Sequence, residues 1–248
     1  MDHGKIIGIV GGVGPYAGID LERKLFDLTE ATRDQEHHSV VMASLPREIE
    51  DRTEFLIGNT DVNPAFALAR IIKELAHLNA SIIGIACNTA HAPPIFDVIL
   101  QQMEVDNTDV KLVHMIEEVA DFITVHHPDL TRFGVLSTIG TFRTGIYQKA
   151  LEKRGLVVIL PDGETRALVH TAIYDPGFGI KSRSNPVSDL AMDHLFEGIH
   201  YLQGQGVDGI VLGCTEISMA LDGRMVSEIE LIDPTRILAA ALIREAAR

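Results

Sequence analysis

Residues 81–91, SIIGIACNTAH, and residues 208–218, DGIVLGCTEIS, decide the fold of this chain. Each stretch is a short apolar run that ends in a cysteine, Cys87 in the first and Cys214 in the second, and a threonine follows within two residues. Short β-branched runs of this kind are typical of strands buried in a parallel sheet. We therefore predict that the two cysteines occupy equivalent strand ends.

Apolar runs alternate with segments of helical periodicity along the rest of the 248 residues, which predicts repeated strand–helix units. In the first half we predict strands at 6–10, 39–43, 82–86 and 112–114, and helices near 15–31, 64–79, 93–103 and 116–126. In the second half we predict strands at 133–137, 156–160, 209–212 and 230–232, and helices near 142–154, 164–174, 186–205 and 234–247.

The spacing of equivalent residues indicates an internal duplication. Cys87 follows Gly8 by 79 positions, and Cys214 follows Gly134 by 80 positions. We therefore expect an α/β fold made of two pseudo-symmetric three-layer half-domains, each with a parallel sheet of about four strands. Residues 1–115 would form the first unit and residues 116–233 the second, with an active site in the cleft between them.

Composition excludes several classes of function. The formal net charge is −14 and no cluster of Lys and Arg is present, so a nucleic-acid partner is not expected. No apolar stretch reaches the ~18–20 residues that span a bilayer, and the N-terminus lacks the layout of a signal peptide, so no membrane association is expected. Two cysteines in a chain of this length favour the cytoplasm.

The predicted position of the two thiols, at strand ends, suggests that they take part in ligand binding or catalysis. Ligands bind at the carboxyl ends of strands in open α/β sheets, and the start of a helix favours a thiolate. Asn88 and Thr89 are candidate N-caps for the helix at 93, and Thr215 for a turn at 216–221; their polar groups could hold a carboxylate. Two opposed thiols would suit moving a proton from one face of a carbon to the other, whereas the alternative is that each cysteine is a small core residue.

Six motifs carry a resemblance that runs nearly end to end: GIVGGVGP, EDRT, ACNTAH, STIGT, GCTE and IDPT. With them the chain resembles the aspartate/glutamate racemase superfamily, and within it the aspartate racemase branch. The resemblance implies racemisation of acidic amino acids without pyridoxal phosphate, and so no cofactor. It also implies a homodimer and a C-terminal helix, 234–248, that returns to the first unit.

The resemblance also implies roles for individual residues. Cys87 and Cys214 become the two catalytic acid–base groups, one on each face of the substrate. Asn88, Thr89 and Thr215 become candidates for holding the α-carboxylate and the amino group. Glutamate racemases commonly have His at the position of Glu216, and the glutamate here matches the aspartate-type branch. Glu216 could orient the site or act only as an anion at a helix start.

Substrate selection should depend on cations. The resemblance assigns Arg52, in EDRTEF, to the side-chain carboxylate of the substrate, and its planar fork suits that group. Lys181, in FGIKSRS, is the candidate second cation. The segment YDPGFGIKSRSNP departs from the plainer pattern of the family, so Arg183 is an alternative to Lys181, and surface placement is the alternative for each.

The loop GGVGPYA places Gly12, Gly14 and Ala17 almost as in a dinucleotide-binding fingerprint. The next predicted strand ends without the acidic residue that this fingerprint needs, and Pro15 removes one N–H. We therefore expect Gly12 to let backbone N–H groups approach a carboxylate and Tyr16 to wall the pocket.

Two further groups complete the candidates. Thr138 is expected to line the corresponding loop of the second half, together with Thr141. His91 follows Cys87 by four positions, but no second ligand pair of suitable spacing is present, so we expect a packing role and no metal.

The function expected from these observations is cofactor-independent interconversion of L- and D-aspartate, with glutamate as a possible second substrate. Aspartate and glutamate differ by one methylene, which is worth only ~1–3 kcal/mol in a pocket. Three alternatives stay open: a maleate isomerase, a hydantoin racemase, which the two cations disfavour, and a non-catalytic dicarboxylate-binding protein.

Overall fold

A computed structural model of the chain describes residues 4–222 and 229–248, so residues 1–3 and 223–228 of the two predicted units lie outside it. It contains two four-stranded parallel sheets. The first has the order β2-β1-β3-β4, with β1 Ile6–Gly11, β2 Val40–Ser44, β3 Ala80–Ile85 and β4 Lys111–Val113. The second has the order β6-β5-β7-β8, with β5 Arg132–Ser137, β6 Val157–Ile159, β7 Gly209–Gly213 and β8 Glu230–Ile232. The identical order confirms the predicted α/β fold with pseudo-symmetric halves.

Helices flank both sheets. In chain order α1–α11 span Pro15–Leu28, Arg52–Ile57, Ala65–His77, Pro93–Val105, Met115–His126, Ile139–Thr144, Ile146–Glu152, Gly163–Tyr174, Asp189–Gly204, Thr215–Leu221 and Pro234–Ala246. Every predicted strand is present within about two residues of its expected bounds. The predicted division at residue 115 stays a prediction, since α5 packs against α7 of the second half as well as against α11.

The helices differ from the prediction in three places. The sequence pattern did not predict α2, which Asp51 caps by accepting hydrogen bonds from the backbone N–H groups of Thr53 and Glu54. The single helix predicted over 142–154 is two helices, because Gly145 adopts a left-handed conformation (φ 62°) between α6 and α7. Helix α9 begins at Asp189 rather than near 186, because the Ser188 side chain caps it.

The predicted N-caps beside the cysteines were also wrong. Asn88 precedes a short 3-10 turn and makes no capping bond, while Ala92 precedes α4. Cys214 itself is the N-cap residue of α10, so Thr215 is the first helical residue. In each half the backbone turns into helix at a different distance from the cysteine.

The C-terminal helix α11 packs against α1, α5 and β3. It approaches β3 closely at Gly84, where an added Cβ would lie 2.8 Å from Leu242 Cδ1. Leu242 is fully buried there. The last helix of the chain therefore covers one face of the first sheet.

The two halves meet directly at α2 and α6. An added Cβ at Gly140 would lie 2.8 Å from Thr53 Oγ1 and 2.9 Å from Thr53 Cα. Glycine at this position therefore lets the two short helices approach to backbone distance, which fixes one side of the cleft. Within the described residues, no helix has both the length and the apolar character needed to cross a membrane.

Replacing Leu242 by alanine should lower the free energy of unfolding by about 2–5 kcal/mol, because the substitution leaves a cavity between α11 and β3. Leu78→Ala is the matched control: that leucine is 57% exposed, and its loss should change stability by about 0.5 kcal/mol or less. Urea unfolding of both variants measures the difference. Equal effects would show that α11 does not support the first sheet as described.

Candidate active site

A cavity of about 210 Å³ lies between the two halves. The first half contributes the GGVGP loop, the segment after β2 and the start of α2. The second half contributes the loop after α8 and helix α10. The lining residues include Gly12, Gly14, Tyr16, Asp51, Arg52, Lys181, Ser184 and Glu216.

The GGVGP loop follows β1 and forms one wall through backbone conformations that suit glycine. Gly12 has φ 75° and Gly14 has φ 124°, both on the positive side that side chains rarely adopt. An added Cβ at Gly14 would lie 2.5 Å from Glu216 Oε1, so this glycine also makes room for the carboxylate. Tyr16, at the start of α1, is 46% exposed and stands at the rim.

Cys214 belongs to a chain of polar contacts in the second half. Its Sγ donates to Glu216 Oε2 at 3.0 Å, and Lys181 Nζ lies 2.7 Å from Glu216 Oε1. Burial opposes ionisation of Glu216, but the ion pair with Lys181 outweighs it and lowers the pKa of Glu216 to about 2. A carboxylate held ionised in this way is a strong acceptor for the thiol proton.

The same contacts keep Cys214 protonated. Burial raises the pKa of the Cys214 thiol well above its ordinary value, and the negative charge of Glu216 adds to the rise, while Lys181 offsets part of it. Burial lowers the pKa of Lys181, but the charge of Glu216 outweighs burial and leaves that pKa raised. Near neutral pH this cluster therefore holds a thiol, a carboxylate and an ammonium group.

Cys87 lies in a different environment, beside a guanidinium group. Burial opposes the charged form of Arg52, but the negative charges of Cys87 and Asp51 outweigh it and raise the pKa of Arg52. Arg52 Nη2 donates to the carbonyl of Val13 at 2.6 Å, and its Nε is buried with no acceptor among the described residues. A permanent positive charge therefore stands beside the first thiol.

A tyrosine from the second half contacts Asp51, the residue before Arg52. The Tyr174 hydroxyl, on α8, lies 3.2 and 3.1 Å from the two carboxylate oxygens of Asp51. Burial raises the pKa of Tyr174, and the charge of Asp51 adds to the rise, so the hydroxyl stays a donor. Lys181 Nζ lies 5.2 Å from the ring centroid of Tyr174, which joins this contact to the Cys214 cluster.

Four threonine hydroxyls connect the halves beneath the cavity. Thr53 Oγ1 donates to Thr138 Oγ1 at 3.3 Å, and Thr138 Oγ1 donates to Thr141 Oγ1 at 3.3 Å. Thr141 Oγ1 in turn lies 2.9 Å from Thr89 Oγ1, two residues after Cys87. Thr138 and Thr141 also lie at the start of α6, where the Thr138 side chain caps the helix. The strand-end loops of the two halves are thus in direct contact.

The site residues predicted from the sequence fall into two groups, those that line the cavity and those buried behind its lining. Gly12, Tyr16, Arg52, Lys181 and Glu216 line the cavity itself. The two cysteines do not line it; each is 6% exposed and lies one side chain away, behind Arg52 or Glu216. The other candidates lie in the buried layer with them: Asn88, Thr89, Thr138 and Thr215.

Lys181 and Arg183 differ in their position relative to the cavity. Lys181 is partly buried and reaches Glu216, whereas Arg183 is exposed and lines a neighbouring groove instead of the cavity.

His91 is buried, with Nδ1 2.8 Å from the carbonyl of Cys87 and its ring stacked on Phe96. Burial lowers the pKa of His91 to about 3, which fits a neutral packing residue. No group of three or more His, Cys, Asp or Glu within the described ranges could hold a metal ion.

Sequence reasoning missed three residues that contact the candidates. Asp51 could have been found, because an aspartate before a short polar segment is a common helix cap. Tyr174 and Tyr147 had no such signal. Their hydroxyls reach the site from helices α8 and α7 of the second half, at separations of 123 and 59 residues from their partners.

Comparisons with known proteins bear on the family and the fold of the chain. The family model described as Asp/Glu/Hydantoin racemase matches residues 10–242. The structure of an aspartate racemase from Picrophilus torridus is 30% identical, covers 98% of this chain and 95% of its own, and superposes with a TM-score of 0.82.

Two curated relatives widen the range of substrates among similar proteins. A broad specificity amino-acid racemase from Bacillus subtilis is 26% identical over 245 residues, which is 96% of each chain. A glutamate racemase from Bacillus cereus is 27% identical over 143 residues, 58% of this chain and 47% of its own. From the match over residues 10–242 and the shared fold, the chain belongs to the Asp/Glu/hydantoin racemase family.

Proposed function

We propose that this racemase interconverts L- and D-aspartate, and glutamate to a lesser or equal extent, by two-base proton transfer without a cofactor. The observation that carries the proposal is that the two buried thiols have neighbours of opposite charge: Cys87 lies beside Arg52, and Cys214 donates a hydrogen bond to Glu216. Arg52 and Glu216, one neighbour of each thiol, line one cavity, and Lys181 lines it as well. Racemisation requires one group that removes the α-proton and a second that returns a proton.

In the proposed reaction the Cys87 thiolate takes the α-proton from one face of the substrate. The Cα–H bond breaks, an S–H bond forms, and the electron pair passes into the α-carboxylate. The Cys214 thiol then delivers its proton to the opposite face of Cα, which leaves Cys214 as thiolate and Cys87 as thiol. The opposite enantiomer reacts through the same steps in reverse order.

The guanidinium group of Arg52 lies beside Cys87 and would be the counter-charge of an anion formed there during the reaction. Glu216 supports the thiol form of Cys214 through the hydrogen bond at 3.0 Å. A substrate carboxylate near Glu216 would meet Lys181 as its counter-charge.

Two unpaired donors support carboxylate binding next to Cys87. Arg52 Nε and Asn88 Nδ2 are buried and have no acceptor among the described residues. Buried N–H groups are nearly always paired in proteins, so these two are free for a ligand oxygen. We assign the α-carboxylate and amino group to Asn88, Thr89 and Thr215, and the side-chain carboxylate to Arg52 with Lys181.

The remaining parts of the proposal rest on sequence and on relatives. The aspartate racemase and the broad specificity racemase named above support an amino-acid substrate and leave the choice between aspartate and glutamate to experiment. Backbone N–H groups near Gly12, the wall at Tyr16 and Thr138 complete the proposed binding set. Homodimer formation and a location in the cytoplasm stay predictions.

Proton exchange at Cα tests the function directly. In deuterium oxide, the wild-type protein should incorporate deuterium at Cα of both enantiomers of aspartate while it racemises them. Cys87→Ala and Cys214→Ala should each lower racemisation by about 10²–10⁴-fold or more, the usual worth of a general acid or base. Binding of aspartate without exchange would indicate a non-catalytic binding protein, and conversion of maleate to fumarate would indicate the isomerase.

Replacing each cation of the loop after α8 tests which of them binds the substrate carboxylate. Lys181→Met should raise the KM for aspartate about 10- to 150-fold, since a hydrogen bond to a charged group is worth about 1.5–3 kcal/mol. Arg183→Gln is the matched control on the same loop and should leave KM within about twofold, because Arg183 lies outside the cavity. The reverse pattern in steady-state kinetics would make Arg183 the second cation.

The proton held by Cys214 can be titrated alone, because the chain has only two cysteines and Cys87→Ser leaves one. In that background Cys214 should alkylate with an apparent pKa well above the ordinary thiol value, and Glu216→Gln should lower this pKa by removing the neighbouring negative charge. The measurement is the rate of iodoacetamide reaction against pH. Glu104→Gln, on the exposed face of α4, is the control and should leave the titration of Cys214 unchanged. An unchanged titration in Glu216→Gln would show that Glu216 does not hold the proton on Cys214.

A further inference from the structure

Tyr147 is buried at the site although no step of the proposed reaction uses it. It lies on α7 in the second half and is 2% exposed. Its hydroxyl donates a hydrogen bond to Asn88 Oδ1, in the first half, and Asn88 directly follows Cys87. The contact therefore joins the second half to the residue next to the first thiol.

The ring of Tyr147 also lies against the second cysteine motif. An added Cβ at Gly213 would stand 3.2 Å from Tyr147 Cε2, and Gly213 directly precedes Cys214. One side chain thus contacts the strand-end motifs of both halves. The glycine is required at this position because the tyrosine ring and the carbonyl of Leu136, 2.9 Å from the same point, leave no room for a side chain.

The hydrogen bond determines which end of the Asn88 amide is free. Because Oδ1 accepts from Tyr147, Nδ2 is the end without a partner, and it is buried. An amide held only by packing could turn over and present its oxygen instead. A presented oxygen would repel a carboxylate, whereas a presented NH₂ group would donate to one.

We propose that Tyr147 is a positioning residue for racemisation: its hydroxyl fixes the Asn88 amide so that Nδ2 faces the substrate carboxylate. This inference rests on the proposed function, since it assumes that the ligand at Asn88 carries a carboxylate. Tyr147 does not touch the reacting atoms and acts only through Asn88.

The protonation state of Tyr147 suits this role. Burial raises the pKa of its hydroxyl well above the ordinary value, and the negative charges of Asp233 and Cys214 add to the rise. Tyr147 therefore keeps its proton when Cys214 becomes a thiolate during turnover. The donor to Asn88 is present at every stage of the reaction.

A double-mutant cycle tests the inference, because a residue that works only through another has no effect once that other is removed. Tyr147→Phe should lower kcat/KM for L-aspartate about 10- to 100-fold, and Asn88→Ala should do at least as much. In the Asn88→Ala background, Tyr147→Phe should change kcat/KM by less than about twofold. Tyr201→Phe, on α9 away from the cavity, is the control and should match the wild type.

Independent effects of the two substitutions, or an unchanged Tyr147→Phe variant, would overturn the inference. A purely structural role would lower the midpoint of urea unfolding and would add to the loss caused by Asn88→Ala. Asn88→Asp provides a second test that leaves Tyr147 intact: it keeps the acceptor for the hydroxyl but replaces Nδ2 with an oxygen, so it should lose activity as Asn88→Ala does.

The inference and the proposed function fail differently. A wild-type protein that binds L-aspartate but does not exchange its α-proton would contradict the proposed function alone. The same cycle, measured on the dissociation constant of L-aspartate by calorimetry, would still decide the role of Tyr147. Independent effects of the Tyr147 and Asn88 substitutions in an active racemase would contradict the inference alone.

Discussion

The hydrogen bond from Cys214 to Glu216 makes two nearly symmetric halves chemically unequal. The sheets have the same strand order, and each carries a cysteine at the equivalent strand end. Two positions after the cysteine, however, the first half has Thr89 and the second has Glu216. Cys214 therefore has a carboxylate neighbour, whereas Cys87 has the guanidinium group of Arg52 beside it, and the proposed two-base reaction uses this difference.

Two features of the fold accommodate that carboxylate inside the protein. Gly14 leaves space for Glu216, and Lys181 pairs with it from the loop after α8. A buried charge is costly unless it is paired, so loss of Lys181 would affect Cys214 as well as the proposed binding of the substrate. The thiol and the lysine are thus coupled through the side chain of Glu216.

Much of the fold could be predicted because buried parallel strands have a simple signature. The runs before Cys87 and Cys214 are apolar and β-branched, and their ends fix where ligands bind. The short helix α2 had too few residues to show a period, and the break at Gly145 interrupts a pattern that looks continuous. Tyr147 was missed because its partner, Asn88, lies 59 residues away in the other half of the chain. The choice between Lys181 and Arg183 depends on how one loop folds, and two residues of equal charge two positions apart in sequence do not reveal this.

A crystal structure with bound aspartate is the direct test of two-base racemisation. We expect Cα to lie between the two sulfur atoms, with Cys87 Sγ and Cys214 Sγ on opposite faces and each about 3–3.5 Å from it. We also expect Arg52 and Lys181 to contact the side-chain carboxylate. A ligand that meets only one sulfur, or both from the same face, would contradict two-base racemisation.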